Sequence, residues 1–308
     1  MGGGKVMLGI DIGGTKVSVG RVDRNGHLLG DTLTRSSKAS DRAEVVDVIC
    51  AAVGKALAQG GAEAGGIGLG CAGTIEHAEG IVVTSPNLPL RQVPLVDLLQ
   101  KRLDLPVTIE NDANAAAIAE HRVGAAVGMH HVVLLTLGTG IGGALILDGK
   151  VYRGAHGGAG ELGHTVVEAD GEMCKCGRRG CWEQYASGTG LARVAFRTVG
   201  LFERGAFSGE AVGALARDNF AAATTALNEV GFWLGLGIAN IVNIFDPEMV
   251  VVGGGLGELG ELLLAPAREV IKGALSPGRD QVKVVSAALG ADAGLIGAGL
   301  LAWEELGQ

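Results

Sequence analysis

Leu8–Gly20 reads LGIDIGGTKVSVG, and Leu134–Leu147 reads LLTLGTGIGGALIL. In both, an apolar strand runs into a glycine turn and out into a second strand, and each unit is followed by a hairpin signal, Asn25-Gly26 in the first and Asp148-Gly149 in the second. A chain that uses one device twice implies a degenerate internal duplication: two similar α/β halves with a nucleotide held between two phosphate-binding hairpins. In the first hairpin Gly13 and Gly14 let backbone N–H groups approach a phosphate, Thr15 adds a hydroxyl, Lys16 a charge, and Asp11 can hold Mg²⁺ through water. A plain hairpin turn needs neither the acid nor the base. In the second, Gly138, Gly140 and Gly143 satisfy G-x-G-x-x-G, but a strand follows where a dinucleotide fold requires a helix. Thr139, Gly140 and Gly142 are therefore assigned to phosphate binding by a strand–turn–strand.

The stretch ELGHTVVEADGEMCKCGRRGCWE, Glu161–Glu183, gathers His164, Cys174, Cys176 and Cys181, three of the five cysteines together with a histidine. Thiolates plus one imidazole suit a closed, tetrahedral, structural Zn²⁺ site. The alternative is a set of buried thiols and a core histidine, which fits poorly in a segment this polar and turn-rich. A folded metal loop would also fix Glu161 and Glu183. If one nitrogen of His164 binds metal, the other carries the proton, giving a donor of set direction. Two carboxylate acceptors and one oriented donor describe a pocket for a polyhydroxylated ligand, although any single glutamate read alone is more simply a solvated surface charge.

The stretch ENDANAAAIAEHRVG is a strand end turning into an alanine-rich helix. Asp112 stands where the helix starts, and there it is either a catalytic acid or an N-cap. Asn111 precedes it at the carboxyl end of a strand, where open α/β sheets bind ligands. Asn87, in the proline-bounded SPNLPL loop, could present its amide to a ligand or simply make a turn.

Elsewhere, Ala43–Leu57 and Val93–Leu103 carry helical periodicity, and His27–Gly30 is expected to return the chain from the first hairpin as a strand. Phe202–Asp218 reads as a polar insertion or connection. Phe220–Phe245 reads as a long helix, and Ala291–Glu305 as a glycine-initiated helix packing back on the first domain. Glu248–Val252 is a strand entering GGGLGELG, where Gly254 and Gly255 are assigned to the nucleotide. The G-x-G-x-x-G at Gly255–Gly260 does precede a helix, which keeps an NAD-dependent oxidoreductase in view. The next strand, however, ends in Ser286 without the acid that would bind a ribose.

The 308 residues are long for one core, so two domains are expected: residues 1–112 with about 291–308, and about 113–290. The net charge of −8 argues against nucleic acid and anionic membranes as partners. No uncharged run makes a convincing membrane span. No signal peptide precedes Lys5, and the cysteines are odd in number and clustered, which points to a reduced cytoplasm.

Taken together, DIGGTK at 11–16, SPN at 85–87, NDANAAA at 111–117, TLGTGIGG at 136–143, ELGH at 161–164 and CKCGRRGCWEQYASG at 174–188 closely resemble the ROK family of sugar kinases and regulators, and within it the bacterial ATP-dependent glucokinases. The resemblance runs nearly end to end. It implies an actin-like ATPase fold of the ribonuclease H-like, hexokinase type, with two α/β domains closing over a cleft. It further implies Asp112 as general base; Asn87, Asn111, Glu161, His164 and Glu183 on sugar hydroxyls; zinc on His164, Cys174, Cys176 and Cys181; and Asp11 to Lys16 with the Gly138–Gly143 turn on the phosphates and Mg²⁺. The expected reaction moves the γ-phosphoryl group of MgATP to the 6-hydroxyl of glucose, in a homo-oligomer, dimer or tetramer. Another hexose or N-acetylhexosamine as acceptor, polyphosphate as donor, and a non-catalytic sugar-sensing regulator remain open. Family regulators carry an N-terminal DNA-binding helix-turn-helix, for which the start of the phosphate motif at Asp11 leaves no room.

Overall fold

The computed structural model of the chain describes residues 5–60, 63–199 and 208–307. It divides into two compact units: Met1–Gly128 with Val151–Ala159 and Ala291–Gln308, and Met129–Lys150 with Gly160–Gly290. The first unit runs past the boundary expected at Asp112, because the helix that begins there packs against the C-terminal helix, Ala293–Leu306, inside the same unit. It also takes in a nine-residue excursion, Val151–Ala159, flanked on both sides by chain of the second unit.

In the first unit, β1 (Val6–Ile12), β2 (Lys16–Val22), β3 (Leu33–Ser36), β4 (Ala64–Cys71) and a later strand, Val107–Asn111, form a sheet in the order β3-β2-β1-β4-Val107–Asn111. β1 pairs antiparallel with β2 and parallel with β4. Flanked on both sides, β1 reads VMLGIDI with almost every side chain buried, the continuous apolar run of a central strand. The return strand expected at His27–Gly30 is only a single bridge, Val22 to Leu28, and the real third strand forms later, at Leu33–Ser36. Helix α1 (Arg42–Ala58) is started by Asp41, whose carboxylate accepts from the Ala43 and Glu44 N–H groups at 2.8 and 3.0 Å. A small three-stranded sheet of β5 (Thr74–Glu76), β6 (Ile81–Thr84) and β7 (Arg91–Val93) follows. After it come α2 (Leu95–Leu103), the strand β8 (Val107–Asn111) and helix α3 (Asp112–Val123).

The second unit repeats the plan. Its sheet runs β11-β10-β9-β12-β13, built from β9 (Val132–Leu137), β10 (Ile141–Leu147), β11 (Lys150–Val151), β12 (Met249–Gly253) and β13 (Lys283–Ser286). Again the centre strand pairs antiparallel with the strand after its glycine turn and parallel with a strand from much later in the chain. The two sheets thus share strand order and direction around their glycine turns, as the doubled sequence device implies. Around this sheet stand α4 (Glu183–Ala186), α5 (Gly188–Val199), α6 (Gly209–Arg217), α7 (Ala221–Phe245), α8 (Gly254–Gly257) and α9 (Glu261–Ala274). Helix α6 falls where the sequence suggested a polar connection; residues 202–207 of that stretch lie outside the described residues. Helix α7 is long and apolar enough to cross a membrane, but 61% of its apolar window is buried inside the protein, as a core helix requires.

Close backbone approach explains why glycine is so abundant. The C-terminal helix lies directly on the first sheet: a Cβ on Gly68 would stand 1.7 Å from the Ala298 carbonyl oxygen, and one on Gly297 would stand 1.7 Å from that of Ala115 in α3. No methyl group fits there. Gly68→Ala is therefore expected to lower stability by about 1–3 kcal/mol or more through overpacking, whereas Gly54→Ala, at an open position of α1, should raise it by about 0.5–1 kcal/mol. Chemical denaturation of the two variants beside the parent checks both signs.

Candidate active site

The strand–helix junction at Asn111 and Asp112 settles which residue caps. Asn111 has extended backbone (φ −62°, ψ 147°), and its Oδ1 accepts from the N–H groups of Ala113 and Asn114 at 2.9 and 3.1 Å. Asn111, not Asp112, is the N-cap. Its Nδ2 donates to the Gly73 carbonyl and to Asp112 Oδ1, both at 3.0 Å, so the amide expected to meet a sugar hydroxyl is already engaged on both ends. Asp112 Oδ1 also accepts from the Ala113 N–H at 3.0 Å, while Oδ2 has no partner among the described residues. Burial lifts the Asp112 carboxyl above the ordinary carboxylate range despite these hydrogen bonds. Asp11, at the end of β1, is pushed up to about 6, first by burial, then by the charge of Asp112, with Lys16 pulling the other way. Two desolvated carboxylates, one of them raised further by the other's charge, are a donor set that a divalent cation relieves.

The first glycine turn is braced from behind. Ser37 donates its hydroxyl to the Gly13 carbonyl at 2.6 Å and its N–H to the Thr15 carbonyl at 3.1 Å, while the Gly13 N–H closes the hairpin on Lys16. The N–H groups of Gly14 and Thr15 find no acceptor among the described residues. Asn87 packs against this turn, where a Cβ on Gly14 would stand 2.5 Å from the Asn87 Cβ.

The second glycine turn is held in the same way. The Gly188 N–H donates to the Gly138 carbonyl at 2.8 Å, the Thr189 hydroxyl to the Thr139 carbonyl at 2.7 Å, and the Gly138 N–H to the Gly140 carbonyl at 3.0 Å. Gly138 and Thr139 of this turn border a cavity of about 530 Å³. Gly255 lines it too; Leu256, Leu259 and Gly213 give it an apolar wall, and Glu210 and Arg217 also line it. Gly254, with φ of 79°, packs on the backbone of Leu137, directly before the turn. Thr189 and the α6 residues escaped the sequence reading. The signal was present in Ser208, whose hydroxyl caps α6 by accepting from the Ala211 N–H at 3.2 Å, followed by apolar Val212 and Ala216 at helical spacing.

The ligand atoms of His164, Cys174, Cys176 and Cys181 lie within 4.8 Å of one another. Cys176 Sγ and Cys181 Sγ are 3.5 Å apart, and Cys174 Sγ is 3.8 Å from His164 Nδ1. A tetrahedron with Zn–S of ~2.3 Å and Zn–N of ~2.0 Å has edges of roughly 3.5–3.8 Å, so the set fits zinc. The loop reverses at Gly177 (φ 87°), and the Cys174 N–H donates to the Arg178 carbonyl at 2.8 Å. Hydrogen bonds from Arg178 bring the Cys176 thiol down to about 6, while burial pushes Cys181 up to about 12, so metal binding must release a proton. With Nδ1 turned to the thiols, Nε2 of His164 faces outward, 3.9 Å from Glu161 Oε2. Trp182 pins the loop to the core: it is fully buried, and its indole N–H donates to the Trp233 carbonyl at 2.7 Å across α7. Glu183 follows immediately, and its Oε2 accepts from the Ile141 N–H at 3.2 Å, fastening the metal loop to the second glycine turn. In this arrangement Glu183 touches the second glycine turn, a contact its sequence position does not disclose.

The chain matches the ROK family over residues 7–305. The glucokinase of Streptomyces coelicolor is 38% identical over 312 residues, covering 96% of this chain and 97% of its own. The crystal structure of a ROK family glucokinase from Streptomyces griseus in complex with glucose and AMPPNP superposes with a TM-score of 0.86 at 38% identity, covering 97% of this chain and 99% of that one. The ROK hexokinase of Thermus thermophilus superposes with a TM-score of 0.81 at 34% identity, over 98% and 99% of the two chains. The repeated sheets are thus those of the actin-like, hexokinase-type ATPase fold, and this chain belongs to the ROK family.

Proposed function

We propose that the chain is an ATP-dependent glucokinase, transferring the γ-phosphoryl group of MgATP to the 6-hydroxyl of glucose. The observation that carries this reading is the junction at Asn111: because Asn111 caps α3, Asp112 keeps one carboxylate oxygen uncommitted and basic. Asp112 takes the proton of the 6-hydroxyl as that oxygen attacks phosphorus. Asn87, Asn111, Glu161, His164 and Glu183 are the proposed contacts of the other hydroxyls; for Asn111 and Glu183 these would replace or join the backbone contacts each already makes. His164 would donate through Nε2 while Glu161 accepts.

The turns Gly13–Lys16 and Gly138–Gly142 are proposed to bind the phosphates, the first through the N–H groups of Gly14 and Thr15 and the Lys16 ammonium, with Gly254 and Gly255 beside the nucleoside. The apolar wall of Leu256 and Leu259 in the 530 Å³ cavity favours a nucleotide over polyphosphate, since a bare polyanion gains nothing from an apolar surface. Mg²⁺ bound with ATP would neutralise charge on the transferring phosphoryl group; Asp11, its carboxyl raised by burial and by Asp112, is the residue we propose to hold it. Zinc held by His164, Cys174, Cys176 and Cys181 would order the Glu161–Glu183 loop without taking part in the chemistry. Five unbridged cysteines suit a reducing cytoplasm, and a dimer or tetramer is the assembly we expect.

Two outcomes follow. Asp112→Ala should abolish glucose turnover by about 10²–10⁴-fold while nucleotide affinity, measured by calorimetry, holds; near-parental kcat would remove Asp112 from the mechanism. Cys176→Ser should lose zinc, read by elemental analysis, and raise the KM for glucose well above that for ATP. Metal-free protein with an unchanged glucose KM would reject the positioning role of the loop.

A further inference from the structure

Beneath the Asn111–Asp112 junction lies a chain of charged groups with no part in the chemistry described above. Glu110 is 1% exposed, an unusual place for a carboxylate unless it is paired. Its Oε2 accepts from Arg153 Nε at 2.6 Å. Its Oε1 accepts from the Asn111 N–H at 2.9 Å and from Asn114 Nδ2 at 3.0 Å. One carboxylate therefore holds both the peptide that carries the N-cap and the first turn of α3, while the opposite oxygen is charge-paired to the Val151–Ala159 excursion. His77 extends the chain: Nδ1 lies 2.6 Å from the Ile109 carbonyl oxygen and 3.7 Å from Glu110 Oε2, and Nε2 lies 2.9 Å from Glu305 Oε1 on the C-terminal helix. Glu305 in turn accepts from the Thr108 hydroxyl at 2.5 Å.

An ion pair with one buried carboxylate and a partly exposed guanidinium contributes little net stability compared with apolar packing of the same volume, so stability alone does not account for placing one here. What the pair does is geometric. We infer that Glu110 and Arg153 are positioning residues for the general base: the ion pair fixes the Glu110 carboxylate, the carboxylate fixes the Asn111 peptide, and Asn111, through its cap and its bond to Asp112 Oδ1, fixes the carboxylate of Asp112. This rests on Asp112 being the base of a sugar kinase. Displacing a base by about 1 Å costs on the order of 10²-fold in rate, so the loss should appear in kcat. The nucleotide cavity belongs to the other compact unit and shares none of these residues.

Steady-state kinetics of Glu110→Gln, Arg153→Met and Arg153→Lys, each confirmed folded by circular dichroism, test the inference. Glu110→Gln keeps an acceptor for the Asn111 N–H but loses the charge that holds Arg153. The expected result is a fall in kcat of about 10–100-fold for Arg153→Met, a smaller fall for Glu110→Gln, and partial recovery in Arg153→Lys. The KM for MgATP should stay within about twofold in all three, because the base has no part in nucleotide binding. Folded Glu110→Gln and Arg153→Met enzymes with parental kcat would overturn the inference, as would a loss falling equally on KM for MgATP and kcat, the mark of general loosening. If Arg153→Met does not fold, the isosteric Glu110→Gln decides alone. Parent protein that phosphorylates no sugar would instead sink the kinase reading, and the two failures are therefore distinguishable.

Discussion

A helix that starts at the end of a strand must satisfy its first N–H groups locally, because nothing precedes them in the helix to accept. At the end of β8 two adjacent residues could meet that need, and the chain assigns it to Asn111. The division has chemical weight. An aspartate whose two oxygens were both bound to backbone amides would be a weak base with a low pKa. Asp112 accepts from the Asn111 amide and the Ala113 N–H through Oδ1 alone, and burial outweighs the hydrogen bonds and raises its pKa. The cap and the base are thus one device, and its position is set by what lies under Asn111.

The rest of the first unit serves to hold that junction and the glycine turn of β1 and β2 in place. The C-terminal helix achieves this by touching the sheet without intervening side chains, at Gly68, and by touching α3 at Gly297. Contact at that range leaves almost no freedom to slide. In the second unit the equivalent rigidity comes from Trp182, buried between Cys181 and Glu183 and hydrogen-bonded into α7. Gly237 makes room for the indole, since a Cβ there would stand 2.0 Å from the ring. A metal ion on the four ligands would complete a bracket already anchored on its core side.

Much of this was legible in the sequence because it rests on local signals. The two strand–turn–strand units, the Cys₃His set and the alanine-rich helix after Asn111 are each read within about twenty residues, and periodicity or ligand chemistry marks them. The repeated strand order followed from the repeated motif. What stayed hidden depends on pairs distant in sequence: Glu110 meets Arg153 forty-three residues away, and Glu183 reaches Ile141 over forty-two. Helix α6 was hidden for a different reason. Its polar exposed face resembles a loop unless the capping hydroxyl of Ser208 is weighed. The sequence shows a strand ending and a helix beginning at Asn111 and Asp112 but not that this helix packs within the first unit, which continues to Gly128.

Incubating the purified chain with MgATP and glucose and following the products by ³¹P nuclear magnetic resonance should show ADP and a single phosphomonoester, assigned by its proton couplings to carbon 6. ADP formed with inorganic phosphate and no phosphorylated sugar, or a phosphoryl group on another hydroxyl, would contradict a base at Asp112 directed at the 6-hydroxyl.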